Sequence, residues 1–258
     1  MINPHGTPIW YELVTADPDA SKTFYDAVIG WTIEPQPSGP MDYRMIDTGD
    51  GLVGGVMRMT PEMEAGGGKP RWLFYVGVDD VDATAETIKA KGGQVHMGPF
   101  DLEGVGRMAF AADPQGTPFY IMRGASDASS TAWHRDAAGK CNWNELATPD
   151  EQAANTFYAE VFGWTYPGGM PMGDMGEYCF VEAGGQTIGA TMRAAPDSPT
   201  GWLFYFGVPD VHAAKAAVEA HGGTVRHGPS EVPGGMMTVV ASDPHGVHFG
   251  VVGPNKEA

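Results

Sequence analysis

Pro8-Ile9-Trp10-Tyr11-Glu12-Leu13-Val14-Thr15 opens a pattern that the chain states twice. Trp10, Glu12, Leu13, Thr15, Phe24, Tyr25, Gly30 and Trp31 recur as Trp143, Glu145, Leu146, Thr148, Phe157, Tyr158, Gly163 and Trp164, always 133 residues later. Trp72-Leu73-Phe74-Tyr75 returns as Trp202-Leu203-Phe204-Tyr205, and Asp113-Pro114-Gln115-Gly116 as Asp243-Pro244-His245-Gly246, now 130 residues later. An internal repeat governs every later fold decision. It also lets each candidate residue be weighed against whatever stands at its counterpart.

Working outward from Trp10, the run Pro8 to Val14 is apolar, β-branched and aromatic apart from one acid, which predicts a strand. A helix follows. In the second half Thr148 is the expected N-cap, with Pro149 in the first helical position and Glu151 as its capping-box partner; in the first half Asp17-Pro18 takes that role two residues later. Gly30 and Gly163 are the expected stops. Phe24 with Val28, and Phe157 with Val161, give each helix an apolar stripe to lay on a sheet. Strands are expected over Tyr43 to Ile46 and Leu52 to Met59, then a break at Gly66 to Pro70. The order then restarts: a strand from Trp72 to Val78, a helix from Val81 to Lys91 closed by Gly92-Gly93, and strands near Met108 to Ala112 and Pro118 to Met122. Asp113-Pro114-Gln115-Gly116 fits a type I turn joining the last two as a hairpin. The expected organisation is a first domain over residues 1–123, a linker over 124–139 containing the unrepeated Trp133, and a second domain over 140–258 with its break near 194–200.

With 32 acidic against 15 basic residues and a formal charge of −17, the chain should repel phosphate backbones and anionic membranes, so neither nucleic acid nor membrane is the expected partner. Cys141 and Cys179 are not counterparts and lie in no zinc-type spacing. They read as reduced thiols, which predicts a cytoplasmic protein. Met1 to Gly6 has no basic start before an apolar run, and no stretch has the apolar length of a membrane span.

Phe24-Tyr25, Gly30-Trp31, Val78-Asp79-Asp80-Val81, Gly92-Gly93 and Asp113-Pro114-x-Gly116, each with a counterpart, resemble the vicinal oxygen chelate superfamily of glyoxalases, bleomycin resistance proteins and extradiol dioxygenases. The resemblance covers nearly the whole chain and is similar to tandem two-domain bacterial members. It implies an α+β fold: four βαβββ modules forming two tandem domains with cup-shaped mixed sheets. It also implies a divalent metal on the cup floor, held by His, Gln or Glu from the first and last strands of the modules.

At the positions that the resemblance assigns to ligands stand Trp10, Trp143, Leu73, Leu203, Tyr120 and Gly250, and the windows Gly54 to Met57 and Gly189 to Met192 hold no ligand. No metal or other cofactor is therefore expected, with a divalent metal as the alternative. Side chains two apart on a strand share a face, so Glu12 and Glu145 accompany Trp10 and Trp143, while Ile9, Tyr11 and Leu13 pack on the helix. Glu12 and Glu145 are the candidate catalytic residues, and Trp10, Trp143, Tyr75, Tyr205, Tyr120 and His248 the candidate ligand-binding ones. Plainer readings stand beside these. A strand Glu can be a solvated rim residue, Tyr75 and Tyr205 can be core, Trp31 and Trp164 can be packing residues, and His248 can be a satisfied structural histidine.

The expected function is the binding of a small organic molecule in aromatic cups, by a glyoxalase-like lyase or isomerase, or a hydroxylase, with Glu as acid or base. A non-catalytic drug- or metabolite-binding protein is the alternative, and a metal-dependent lyase or dioxygenase the third reading. The expected assembly is a monomer or homodimer.

Overall fold

The computed structural model describes residues 3–37 and 39–256, so Met1 and Ile2 of the N-terminal stretch lie outside the described residues. Four modules follow one another. The first is β1 (Pro8–Thr15), α1 (Pro18–Ile29), β2 (Thr32–Ile33), β3 (Tyr43–Asp47) and β4 (Leu52–Arg58), followed by a short helix α2 (Pro61–Ala65). The second is β5 (Arg71–Gly77), α3 (Val81–Ala90), β6 (Gln94–Leu102), β7 (Gly106–Ala112) and β8 (Pro118–Gly124). The third is β9 (Cys141–Thr148), α4 (Glu151–Phe162), β10 (Gly169–Pro171), β11 (Glu177–Ala183) and β12 (Gln186–Arg193). The fourth is β13 (Gly201–Gly207), α5 (Val211–Ala220), β14 (Thr224–Val232), β15 (Met236–Ser242) and β16 (His248–Pro254). Each half contributes an eight-stranded mixed sheet, in the order β2-β3-β4-β1-β5-β8-β7-β6 and β10-β11-β12-β9-β13-β16-β15-β14. This is the expected α+β architecture.

Contacts gather the chain into two compact units, one of Met1–Ile9, Leu73–Ser130 and Trp143–Trp202, the other of Trp10–Trp72, Thr131–Asn142 and Leu203–Ala258. Each unit thus joins one module from each half.

In the unit holding the first and fourth modules, β1 pairs in parallel with β4, placing Tyr11 opposite Gly54 and Glu12 opposite Gly55. Asp17 caps α1, accepting from the backbone N–H of Asp19 and Ala20, and Gly30 ends it in the left-handed region at φ 87°. The centre is a buried polar knot. The Tyr25 hydroxyl accepts from Trp72 Nε1 at 3.0 Å and donates to Asp243 Oδ2 at 3.2 Å. Asp243 Oδ1 accepts from the backbone of His245 and Val247, at 2.9 Å each. The turn that joins β15 to β16 is thereby tied to helix α1. Burial first, then the Asp243 charge, holds the Tyr25 phenol well above its ordinary pKa, and burial likewise raises the Asp243 carboxyl. Phe249 meets Phe24 and Tyr25 edge-on, at 5.7 and 5.2 Å.

The unit holding the second and third modules repeats this knot with its own residues. Tyr158 accepts from Trp202 Nε1 at 3.2 Å and donates to Asp113 Oδ2 at 3.1 Å, while Asp113 Oδ1 accepts from the backbone of Gln115 and Thr117 at 2.9 and 2.8 Å. Trp164, buried as a packing residue, donates its indole N–H to Gly6 O at 2.7 Å; Trp31 does the same to Gly139 O at 2.6 Å in the other unit.

Several expectations are corrected here. Thr148 does not cap the third module's helix. It stays in the β9–β12 ladder opposite Arg193, and Asp150, the repeat counterpart of Asp17, accepts from Ala153 N at 3.0 Å as the cap. Four βαβββ modules call for strands at β2, β6, β10 and β14, but the reading of the residues placed none there, and it placed no helix at α2. β6 and β14 contain Gly and Pro and have no fully buried residue, so they show no apolar alternation to read. Helix α2 begins Thr60-Pro61, with Thr60 accepting from Met63 N at 3.3 Å, a signal of cap and first-turn proline in a segment too short for apolar periodicity.

Gly163 is left-handed at φ 68°, and a Cβ there would meet nothing within 4 Å. Gly163→Ala is therefore expected to cost only the left-handed penalty, about 1 kcal/mol, read as a shift in the urea midpoint at constant slope. A loss several times larger would mean that the helix end is packed more tightly than the structure has it.

Candidate functional site

On β9 the alternation of the strand places Trp143 and Glu145 two apart, both partly exposed, with Asn144 and Leu146 buried between and beside them. The edge of this surface is made by β11, two strands away across β12. Trp143 Nε1 donates to the Tyr178 hydroxyl oxygen at 2.7 Å, and that hydroxyl donates to Glu145 Oε2 at 2.7 Å. Indole, phenol and carboxylate form one directed chain, each polarising the next. Phe180 stands edge-on to Trp143 at 6.2 Å and to Tyr178 at 6.1 Å. The carboxylate thus stands at the end of a group of three neighbouring aromatic rings, with Tyr178 touching it.

In the other unit Trp10 on β1 donates from Nε1 to the Tyr43 hydroxyl at 2.8 Å. Tyr43 opens β3 as Tyr178 lies near the start of β11. Glu12, two residues beyond Trp10, is 1% exposed.

The remaining predicted residues separate. Tyr75 and Tyr120 are direct partners on the parallel strands β5 and β8, and their rings stack 4.3 Å apart at 11°. Phe110 on β7 continues the row at 4.8 Å from Tyr120, with His96 at 5.7 Å from Phe110. Tyr75 and Tyr120 are themselves buried. In the fourth module the partner of Tyr205 is Gly250, and a Cβ on Gly250 would lie 2.3 Å from Tyr205 Cδ1. Tyr205 therefore occupies the space that a side chain at Gly250 would need. His248, a candidate for ligand binding or for a satisfied structural histidine, lies exposed at the start of β16, its pKa lowered by desolvation and then by the Arg226 charge. Cys179 is not activated by its setting: its thiol donates to Glu151 Oε1 at 2.9 Å, and burial with that carboxylate pushes its pKa up to about 12.

Tyr43, Tyr178 and Phe180 were missed in the sequence. The signal was present, since a Tyr begins the strand run in both halves. It was obscured by the change of spacing between the halves, which takes these strands out of the phase of the opening motif.

The chain belongs to the Glyoxalase/Bleomycin resistance protein/Dioxygenase superfamily, whose family model matches residues 7–121 and 140–251. Among curated relatives, "Putative glyoxylase CFP32" of Mycobacterium tuberculosis is 34% identical over 96% of this chain and 95% of its own length. "Anthracycline biosynthesis protein DnrV" of Streptomyces peucetius is 32% identical over 96% of this chain and 93% of its own. Among solved structures, the Mn(II)-bound glyoxalase from Novosphingobium aromaticivorans superposes with a TM-score of 0.68 at 17% identity, covering 100% of this chain and 85% of that one. The 2,3-dioxygenase LapB from Pseudomonas sp. KL28 gives 0.66 at 12% identity, covering 100% and 95%. At such identities the structural likeness speaks for the fold.

The family implies a divalent metal, and the donor chemistry described above does not fit one. An indole N–H is a donor only and cannot ligate. At both Trp10 and Trp143 it already points at a phenol oxygen. Among the described residues no group of three or more His, Cys, Asp or Glu side chains is placed to hold an ion.

No helix among the described residues is long and apolar enough to cross a membrane.

Proposed function

We propose that this chain is a metal-independent, glyoxalase-like acid–base enzyme acting on a small hydroxylated aromatic or carbonyl compound. The observation that carries the reading is the directed chain from Trp143 through Tyr178 to Glu145. Trp143, Tyr178 and Phe180 offer ring faces and edges for a flat ligand. Glu145 is the group that takes and returns a proton; the Tyr178 O–H donated to it fixes the carboxylate in one rotamer and steadies its charge between the two transfers. Glu12 is the second candidate of the same kind. The work is assigned to the cytoplasm, by a monomer or homodimer, with a small molecule as partner. The name of the Streptomyces relative supports a polycyclic aromatic class of ligand.

The test uses the double variant Glu12→Gln with Glu145→Gln. A thermal-shift screen of hydroxylated aromatic carbonyl compounds, with the dihydroxyanthraquinone alizarin as first probe, identifies a ligand through its stabilisation of the folded protein. Turnover of that compound should fall by about 10²- to 10⁴-fold in the double variant, the range of general acid–base catalysis. Undiminished turnover in a stably folded double variant would remove the reading.

One observation favours a second reading, a binding protein that holds its ligand unchanged. A carboxylate beside a cluster of aromatic rings, in a chain of charge −17, suits an aromatic cation. Recovery of the bound compound intact after long incubation would select it, and appearance of product would dismiss it.

A further inference from the structure

The two repeats present their carboxylates unequally. Glu12 is 1% exposed, whereas Glu145, at the same place in its repeat, is partly exposed. The local sequence supplies a reason. Directly across the parallel ladder, Glu12 faces Gly55 and Glu145 faces Ala190. At Gly55 the ring of Tyr43 lies down on bare backbone: a Cβ there would be 2.2 Å from both Tyr43 Cζ and the hydroxyl oxygen, and 2.5 Å from Cε1. No real Cβ tolerates such distances, so this ring position exists only because residue 55 is glycine. Ala190 carries the methyl that Gly55 lacks, and it denies Tyr178 the same position. Tyr178, whose hydroxyl donates to Glu145 Oε2 at 2.7 Å, keeps its ring clear of that methyl. The neighbouring strand follows suit, since Met45 stands opposite Gly55 where Phe180 stands opposite Ala190. One methyl group thus separates a tyrosine laid over its strand from a tyrosine held off it.

From this geometry we infer that Glu145 is the carboxylate that meets the ligand, that Glu12 is a sealed structural copy, and that Gly55 and Ala190 are the positioning residues that decide which is which. The inference rests on the proposed reading of these clusters as a ligand site, and it sharpens that reading to one of the two copies.

Access is tested without any ligand. The intact folded protein is treated with a water-soluble carbodiimide and glycine ethyl ester, and labelling of each carboxylate is followed by peptide mass spectrometry. Glu145 is expected to label several-fold faster than Glu12. Gly55→Ala should displace Tyr43 and raise the labelling of Glu12 several-fold, while Ala190→Gly should let Tyr178 settle and slow that of Glu145. Equal labelling of the two in the wild type would overturn the inference. So would an Ala190→Gly protein whose Glu145 labels as before; this variant only removes a methyl and keeps the test decisive if Gly55→Ala does not fold. Role is tested by single variants against alizarin, followed by tryptophan fluorescence quenching: Glu145→Gln should lose most of the affinity and Glu12→Gln little. The reverse ranking would overturn the inference while leaving the function standing. Unequal labelling as expected, with neither variant affecting binding, would instead remove the proposed function.

Discussion

Replacing Gly189 by alanine is expected to destabilise the protein by about 3 kcal/mol or more, at or beyond the upper end of ordinary overpacking costs. In β12 this glycine is the direct partner of Asn144 in β9, and an added Cβ would stand 1.9 Å from the Asn144 carbonyl oxygen and 2.8 Å from its carbon. The obstacle is backbone, so no side-chain rotation relieves it. Only the parallel ladder that carries Trp143 and Glu145 can give way. The counterpart Gly54 is in the same position against Tyr11, with its added Cβ 2.1 Å from the Tyr11 oxygen, and Gly54→Ala should cost a similar amount. For a chain of this size each kilocalorie corresponds to roughly 2–4 °C in Tm, so a fall of about 6–12 °C is anticipated. A loss below about 1 kcal/mol in urea unfolding, the low end of overpacking, would show that the strands are not so closely paired. These windows are where the family resemblance seeks a metal ligand. Backbone closeness explains why one residue in each window has no side chain at all.

Removing the aspartate of either buried knot is the second large effect. Asp243→Ala leaves the Tyr25 hydroxyl without its acceptor and removes the acceptor of the Val247 and His245 amides. Each buried group stripped in this way costs about 1–3 kcal/mol. Because His245 can turn to water, a total of about 3 kcal/mol is expected for Asp243→Ala, and a similar one for Asp113→Ala against Tyr158, Thr117 and Gln115. Tyr25→Phe removes one hydroxyl and should cost less, about 1–2 kcal/mol, because Trp72 Nε1 and Asp243 Oδ2 each lose one partner. If Asp243→Ala proved no worse than Tyr25→Phe in chemical denaturation, the knot would not be holding the turn.

Much of the fold was legible because its signals are local. The strand from Pro8, the glycine stops at Gly30 and Gly163, and the turns at Asp113 and Asp243 follow from backbone preferences of single residues, and the repeat doubled each of them. The cap at Asp150 could have been read the same way, by carrying Asp17 across the repeat in place of trusting the Thr148-Pro149 pair. Strands β6 and β14 were illegible because neither face is consistently buried. For the candidate site, Trp143 was singled out at a position the resemblance assigns to a ligand, and Glu145 followed from strand alternation. Tyr178, which connects them, was not, because hydrogen bonds across strands leave no spacing in the chain.

The sequence by itself determined the four-module order, the family, and the presence of Trp where the resemblance asks for a metal ligand, since each depends on residue identity at a position in a repeat. Tertiary structure alone decided that the turn aspartates fold inward onto Tyr25 and Tyr158, that Tyr75 stacks on Tyr120, and that one glutamate is buried while its counterpart is partly exposed. Those outcomes turn on which residues of distant strands come opposite one another, as Gly55 does to Glu12 and Ala190 to Glu145. Register is fixed by the packing of whole sheet faces, and until it is fixed a glycine and an alanine forty-odd residues downstream of a glutamate carry no message about its exposure.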